Sequence, residues 1–306
     1  MKVFLAGAGG ALGVPLTRRL LAHGHEVIGL TRGADAARLT ALGARPVIAD
    51  ALNRPALLRA VNGLTADAVI HELTALRKAP TRHSGMAQTD RLRTEGTANL
   101  LAAAEALGAP RFLTQSIILG YGYRDHGDHV LTEDDPFGRP AGHAGDAHVA
   151  AMASTERQAF TAPIGIALRY GLLYGGDAAQ MRPLLARRGL PVSKGGLLGW
   201  IHHDDAATAT VAALENGRAG NAYNIVDDEP ATWAQVYSAM ASAFDAPPPR
   251  RLPRWLFRMA APYVASFAVD TSMRVSNTKA KQELDWKPVF RTYREGIETA
   301  SAHRHR

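Results

Sequence analysis

Lys2-Val-Phe-Leu-Ala6 runs directly into Gly7-Ala8-Gly9-Gly10-Ala11-Leu12-Gly13, and then into Val14-Pro-Leu-Thr-Arg-Arg-Leu-Leu-Ala-His23. An apolar run, glycines three residues apart and a helix-like pattern stand in the order of a strand, a tight turn and a helix. The first glycine permits the turn, and the middle one lets backbone N–H groups approach a pyrophosphate. The third lets the helix pack close on the strand. Ala8 and Ala11 keep the approach open. A second apolar run, Glu26-Val-Ile-Gly-Leu30, arrives where a strand–helix–strand unit requires it. The stretch therefore predicts a cradle for a dinucleotide, with Gly7, Gly9, Gly10, Ala11, Leu12 and Gly13 around the phosphates.

Outward from the cradle, strand and helix patterns alternate through the first half of the chain. The expected strands are Lys2–Ala6, Glu26–Leu30, Arg45–Ile48, Ala68–His71, Arg111–Thr114 and Ile164–Arg169. Helices are expected near Val14–His23, Ala34–Leu42, Pro55–Val61, Asp90–Leu107 and Ala147–Phe160. Such alternation specifies an α/β fold with a doubly wound parallel sheet, the Rossmann fold, whose ligands bind at the strands' carboxyl ends. After Arg169 the pattern loosens. Trp200–Glu215 reads as a strand entering a helix, Ala222–Val226 as a strand, and Trp233–Phe244 as a helix. An apolar helix pair spans Trp255–Val269, and a final helix lies near Asn277–Leu284. Residues 1–173, completed by 199–226, are assigned to the dinucleotide-binding domain. Residues 174–198 and 227–306 are assigned to a smaller C-terminal substrate-binding lobe with an apolar lid.

The 306 residues are 46% hydrophobic, enough for a large core, yet no run approaches the roughly 20 apolar residues of a membrane span. There is no cysteine, which excludes disulfides and thiolate catalysis. The net charge of +7 is spread among acidic residues, and no Lys/Arg block lies beside stacking aromatics. A small-molecule substrate is expected rather than nucleic acid or a membrane, in a cytoplasmic protein whose first strand leaves no room for a leader. The tail His303-Arg-His-Arg306 reads as a solvated end.

At the end of the second strand, where a carboxylate would select NAD by binding ribose hydroxyls, the chain reads Thr31-Arg32-Gly33. A guanidinium there pairs with a 2′-phosphate, so NADP(H) is expected over NAD(H). Asp50 has two readings, as acceptor for the adenine amino group or as cap of the following helix. Ala51, Leu73, Gln115, Tyr170, Gly171 and Leu173, near the carboxyl ends of the later strands, are the remaining candidates to line the cofactor.

Five further stretches add to the glycine spacing: Arg93-Thr-Glu-Gly96-Thr-Ala-Asn99; Arg111-Phe-Leu-Thr-Gln-Ser116 with Tyr121-Gly122; Leu168-Arg-Tyr-Gly-Leu-Leu-Tyr-Gly175; Trp200-Ile-His-His-Asp-Asp205; and Leu284-Asp-Trp-Lys-Pro288. Together they resemble the extended short-chain dehydrogenase/reductases of the epimerase/dehydratase type over essentially the whole chain. Arg93 stands where that family more often has Asn, and Tyr170 where it has Pro. The resemblance implies a Tyr-x-x-x-Lys pair on the helix after the fifth strand, with Glu four residues beyond the Lys. Counting back from Glu156 puts Met152 at the Lys position and His148 at the Tyr position. The chain therefore resembles an atypical member without the usual acid–base pair.

Three residues remain as catalytic candidates. His148 is a possible donor, since imidazole titrates near neutrality. Tyr121 is a candidate for the pocket wall, and Ser116 a donor to a carbonyl oxygen. Each also has a packing reading. A ketone flanked by a phenol carries its own hydrogen bond, and its reduction would need little from the protein beyond orientation and exclusion of water. With the apolar segment around Trp255–Val269 as lid, the expectation is an NADPH-dependent ketoreductase acting on a bulky aromatic polyketide. It resembles the tailoring ketoreductases of antibiotic pathways, such as those acting on angucyclinones of the simocyclinone type. A nucleotide-sugar epimerase or dehydratase, with Arg182, Arg187 and Arg188 as a phosphate site, and a non-catalytic NADP(H)-responsive regulator stay open. So do monomer and homodimer, because the Leu100–Leu107 face suits either a dimer or the sheet.

Overall fold

Val3, Phe4, Leu5 and Ala6 have no exposed surface because their strand, Lys2–Ala6, runs through the middle of a sheet covered on both faces. Successive strand side chains point to opposite faces. Val3 and Leu5 join Leu16 and Leu20 of helix Gly13–Ala22, with Val211 and Leu214 of helix His203–Asn216. Phe4 and Ala6 join Leu57 of helix Arg54–Val61 and Leu100, Ala103, Ala104 and Leu107 of helix Thr97–Leu107. The face considered for a dimer is thus largely packed on the sheet. This computed structural model describes residues 1–76, 80–176, 178–186, 188 and 191–302. Arg187 and the tail His303–Arg306 lie outside the described residues.

The seven strands are ordered Asn221–Ile225, Ile164–Tyr170, Arg111–Ile117, Ala68–His71, Lys2–Ala6, Glu26–Thr31 and Arg45–Ile48, all parallel. The order reverses between Lys2–Ala6 and Ala68–His71, where Ala6 pairs with His71. A crevice opens at such a reversal, outside the carboxyl ends of the strands. The glycine loop follows Ala6 and lies in that crevice.

One expected helix has a different form. The segment expected as Asp90–Leu107 begins earlier, with a 3₁₀ turn His83–Met86 and helix Ala87–Arg91. It then widens into a π turn, Leu92–Gly96, before helix Thr97–Leu107. The wide turn carries Arg93 into the interior, with its guanidinium 3.3 Å from Asp90 Oδ1. Thr97 Oγ1 donates to Arg93 O, 2.7 Å away. Such turns replace one i→i−4 bond and often mark functional sites.

The late segments form a core of their own that continues into the sheet domain. Trp233, Val236 and Met240 pack with Phe257, Tyr263 and Phe267, and the same core takes in Ile118, Tyr121, Val149 and Met152. The apolar pair is two helices, Arg254–Ala260 and Pro262–Ala268, divided where Pro262 opens the second. Their inner side chains belong to the core, while Trp255 and Met259 are 62% and 70% exposed. Helices Ala178–Ala186 and Tyr293–Ala302, and the strand pair Asp125–Leu131 with Ser272–Val275, are among the elements that were not expected. The helix Thr278–Glu283, expected as the last, is followed by Tyr293–Ala302. Among the described residues, no helix is long and apolar enough to cross a membrane.

Candidate active site

Gly7 has φ +98°, a left-handed conformation that disfavours a side chain, and a Cβ there would lie 2.7 Å from Glu72 O. Gly10 N donates to Gly7 O, closing the turn at 2.9 Å. A Cβ on Gly13 would stand 2.0 Å from Gly7 O, so the helix can start this close to the strand only with glycine. No side chain caps the first turn of helix Gly13–Ala22, and none of its residues there is acidic. Gly10 and Ala11 face outward, while Ala8, Leu12 and Gly13 are buried beneath them. Exposed backbone at an uncapped helix N-terminus is a site for a diphosphate, and the glycine cradle fits a dinucleotide.

Around the loop, Arg32 is exposed just beyond strand Glu26–Thr31. Asp35 is a residue that motif reading missed. Its carboxyl carbon lies 2.6 Å from where a Cβ on Gly9 would be, so an anion stands against the loop. Asp50 is exposed, and its Oδ1 accepts from Leu52 N at 2.9 Å. It does not cap the next helix: Asn53 does, accepting from Ala56 N at 3.1 Å. Ala51 O accepts from Asn99 Nδ2 at 2.8 Å, tying the Arg93–Asn99 motif to the cleft.

Leu73 and Gln115 are half-buried at the carboxyl ends of their strands, and Leu73 N donates to His71 Nδ1. Burial presses His71 down to about 4. Tyr170 and Gly171 lie deeper, while Leu173 is half-buried like Leu73 and Gln115. The Tyr170 hydroxyl reaches Glu72 Oε1 at 2.9 Å and Thr210 Oγ1 at 2.7 Å inside the protein. A Cβ on Gly171 would meet the Trp200 backbone at 2.8 Å. Leu173 pairs with Ile201 in a short strand pair. Any part Tyr170 or Gly171 plays toward a cofactor runs through neighbouring groups. Glu72 itself is buried, its Oε2 lacks a partner among the described residues, and burial raises it to about 8 despite the Tyr170 hydrogen bond.

On helix Asp146–Ala159, Met152 is 0% exposed and packed in the core shared with the late lobe. His148 is 3% exposed with both ring nitrogens engaged. Its Nδ1 lies 2.6 Å from Asp90 Oδ2, and its Nε2 lies 3.0 Å from His83 Nδ1. Tyr263 stands edge-on to both imidazoles, at interplanar angles of 85° to His83 and 88° to His148. Neither Asp90 nor His83 was legible in the sequence: their contacts to His148 span 58 and 65 residues, with no spacing rule to announce them.

Ser116 is fully buried, and its hydroxyl has no partner among the described residues. The Tyr121 hydroxyl accepts from Arg169 Nη1 at 2.9 Å, and Asn224 Oδ1 and Thr132 O lie within 2.9 Å. Burial lifts Tyr121 to about 12, partly offset by Arg169. Glu156 pairs with Arg169 at 2.8 Å and 3.0 Å, so the glutamate that fixes the motif's register is an internal ion-pair partner. These bonds commit Tyr121 to the interior rather than to the crevice.

The pattern of the NAD dependent epimerase/dehydratase family matches residues 3–226. A 3-diazoavenalumate denitrifying reductase from a Streptomyces species is 39% identical over 97% of this chain and 99% of its own. A 2-alkyl-3-oxoalkanoate reductase of Shewanella oneidensis is 30% identical over 92% of this chain and 74% of its own. Two solved structures share the fold. A dTDP-glucose 4,6-dehydratase of Streptomyces venezuelae with NAD bound has a TM-score of 0.78 at 21% identity, covering 99% of this chain and 96% of that one. A UDP-glucose 4-epimerase of Bifidobacterium longum with NAD⁺ and UDP has a TM-score of 0.77 at 18% identity, covering 98% and 97%.

Proposed function

The chain belongs to the NAD dependent epimerase/dehydratase family and is an NAD(P)H-dependent oxidoreductase, and from that premise we propose that it reduces a conjugated aromatic substrate without a Tyr/Lys pair. The carrying observation is Met152, fully buried where the family's lysine is expected, in a chain whose phosphate cradle keeps its glycines. When bound, a reduced nicotinamide supplies hydride. Gly7 to Gly13 would hold its diphosphate, and the exposed Arg32 would pair with a 2′-phosphate, which favours NADP(H).

Without lysine to lower the pKa of a phenol, the site is poorly equipped to protonate a strongly basic alkoxide. It suits an acceptor that leaves the electron pair on a weakly basic atom. A diazo group conjugated with oxygen is such an acceptor: nitrogen departs as N₂, and the charge comes to rest on a phenolate or enolate oxygen. The Streptomyces relative, named for removing nitrogen reductively from a diazo compound, supports this reading first. A ketone beside a phenol on a bulky polyketide is the second reading, supported by the Shewanella relative named for an oxoalkanoate.

The test follows nicotinamide absorbance with purified protein, NADPH or NADH, and three acceptors: a hydroxyaryl diazo acid, a hydroxylated polycyclic ketone and a nucleotide keto-sugar. Oxidation of NADPH with matching release of labelled N₂ is the expected result. Turnover of the ketone alone would replace the first reading by the second. Tight NADPH binding with no oxidation of any acceptor would overturn both and favour a regulator.

A further inference from the structure

We propose that His83 is the acid of this reaction, held and oriented by a hydrogen-bonded chain through His148 to Asp90. The inference rests on the hydride-transfer reading above. It assigns to a residue outside the helix Asp146–Ala159 the task the missing Tyr/Lys pair leaves open.

His148 cannot perform that task alone. An imidazole is shorter than the phenol its position would carry, and here both its nitrogens are occupied within the protein. His83 continues the line outward. It comes from the 3₁₀ turn His83–Met86, it is half-buried, and its Nε2 has no partner among the described residues. The two rings are parallel to within 4°, with centroids 5.2 Å apart. Tyr263, crossing both, fixes their common plane.

The chain of bonds also fixes the tautomers. His148 Nδ1–H donates to Asp90, which leaves its Nε2 to accept from His83 Nδ1–H. In the imidazolium form of His83, the proton that can leave is therefore the one on Nε2, at the open end. Asp90 is anchored in turn by Arg93 Nη1 on its other oxygen, where the π turn delivers it. Two departures from the family pattern, Arg93 for Asn and His148 for Tyr, thus meet on Asp90, and Met152 for Lys lies four residues beyond His148 on the same helix. The other titratable groups facing this cluster are Tyr123 and Tyr263, both buried phenols. Burial, and then the neighbouring His148, press His83 below the ordinary imidazole value, which strengthens it as an acid.

The balance closes for either acceptor. With a diazo compound, the proton from His83 Nε2 goes to the conjugated oxygen and gives a diazonium. Hydride then forms the new C–H bond as the C–N pair leaves with N₂. With a ketone, hydride forms the C–H bond and the proton completes the hydroxyl. In both cases the dinucleotide loses two electrons and the substrate gains them, and solvent returns the proton to His83. His83 is the catalytic residue; His148 and Asp90 are positioning residues.

The experiment measures kcat/KM against pH for wild type, His83→Ala, His148→Gln and Asp90→Asn, with NADPH binding measured separately by fluorescence. Wild-type activity should fall as rising pH deprotonates the acid. His83→Ala should bind NADPH normally, lose about 100-fold in rate and lose that pH limb. Added imidazole should restore part of the loss. Asp90→Asn removes the carboxylate that accepts from His148 Nδ1–H, so it should lower kcat while NADPH binding stays normal. A His83→Ala enzyme with wild-type rate and profile would overturn the inference, as would a loss that tracks NADPH binding. Wild-type protein that binds NADPH yet reduces no acceptor would instead overturn the functional reading beneath it.

Discussion

Glu72→Gln should make the protein more stable, and increasingly so as pH rises. Glu72 is enclosed behind the glycine loop, with one oxygen on the Tyr170 hydroxyl and the other unpartnered, and burial raises it from 4.5 to about 8. The folded state therefore holds its proton more tightly than the unfolded chain. Stability from this group is fully present below pH 4.5, declines through the interval, and is lost once pH passes about 8. At about 1.4 kcal/mol per pH unit the whole interval amounts to about 5 kcal/mol, and the part between pH 5 and 8 to about 4 kcal/mol. Glutamine keeps an oxygen for Tyr170 and carries no proton to lose. The stability difference between variant and wild type should thus grow by about 4 kcal/mol from pH 5 to pH 8. Urea unfolding at each pH measures it. The difference between the two proteins is the quantity to plot, because Asp227 is also raised to about 8 and His71, lowered to about 4, contributes with opposite sign. A difference that stays flat across this range would mean that Glu72 is ionised in the fold, and the argument from burial would fail.

Gly13→Ala should raise the NADPH Kd about tenfold to a hundredfold, since its Cβ would meet Gly7 O at 2.0 Å and relieving the clash costs about 1–3 kcal/mol; an unchanged Kd in a fluorescence titration would contradict the cradle. Arg32→Ala should raise KM for NADPH about tenfold and leave NADH nearly unaffected, whereas Asp35→Asn should shift the ratio toward NADPH; identical effects on both dinucleotides would remove these side chains from the 2′ position. Arg169→Met should destabilise the fold by about 3–5 kcal/mol by stranding the buried Glu156 carboxylate, and Arg169→Met/Glu156→Leu should recover most of that in denaturant titrations.

What the sequence disclosed was local. Gly7, Gly10 and Gly13 act on one another over a few residues, so their spacing carries the cradle, and apolar runs mark buried parallel strands because both faces are covered. Strand Asp125–Leu131 escaped notice because it is mostly exposed and polar, with no alternation to read. Tyr121 was a candidate through its place after the fifth strand, yet its hydroxyl is taken by Arg169, which is 48 residues away. Asp35 lies four residues past the strand end that fingerprint reading inspects. The His83–His148–Asp90 line joins the stretch His83–Arg91 to helix Asp146–Ala159 across 58 and 65 residues, and no periodicity encodes that.

The core that joins Trp233, Phe257 and Phe267 to Ile118, Val149 and Met152 has a consequence for modularity. A lobe with its own separate interior can be exchanged between relatives like a cassette, and melts on its own. Here the walls of the late lobe are side chains of the nucleotide-binding half, so neither half has a complete interior without the other. Calorimetry should show one cooperative transition, with calorimetric and van't Hoff enthalpies in agreement. Two resolved transitions would contradict it. Acceptance of new substrates would then have to arise by substitutions across both halves, and grafted lobes should misfold unless Val149 and Met152 travel with them.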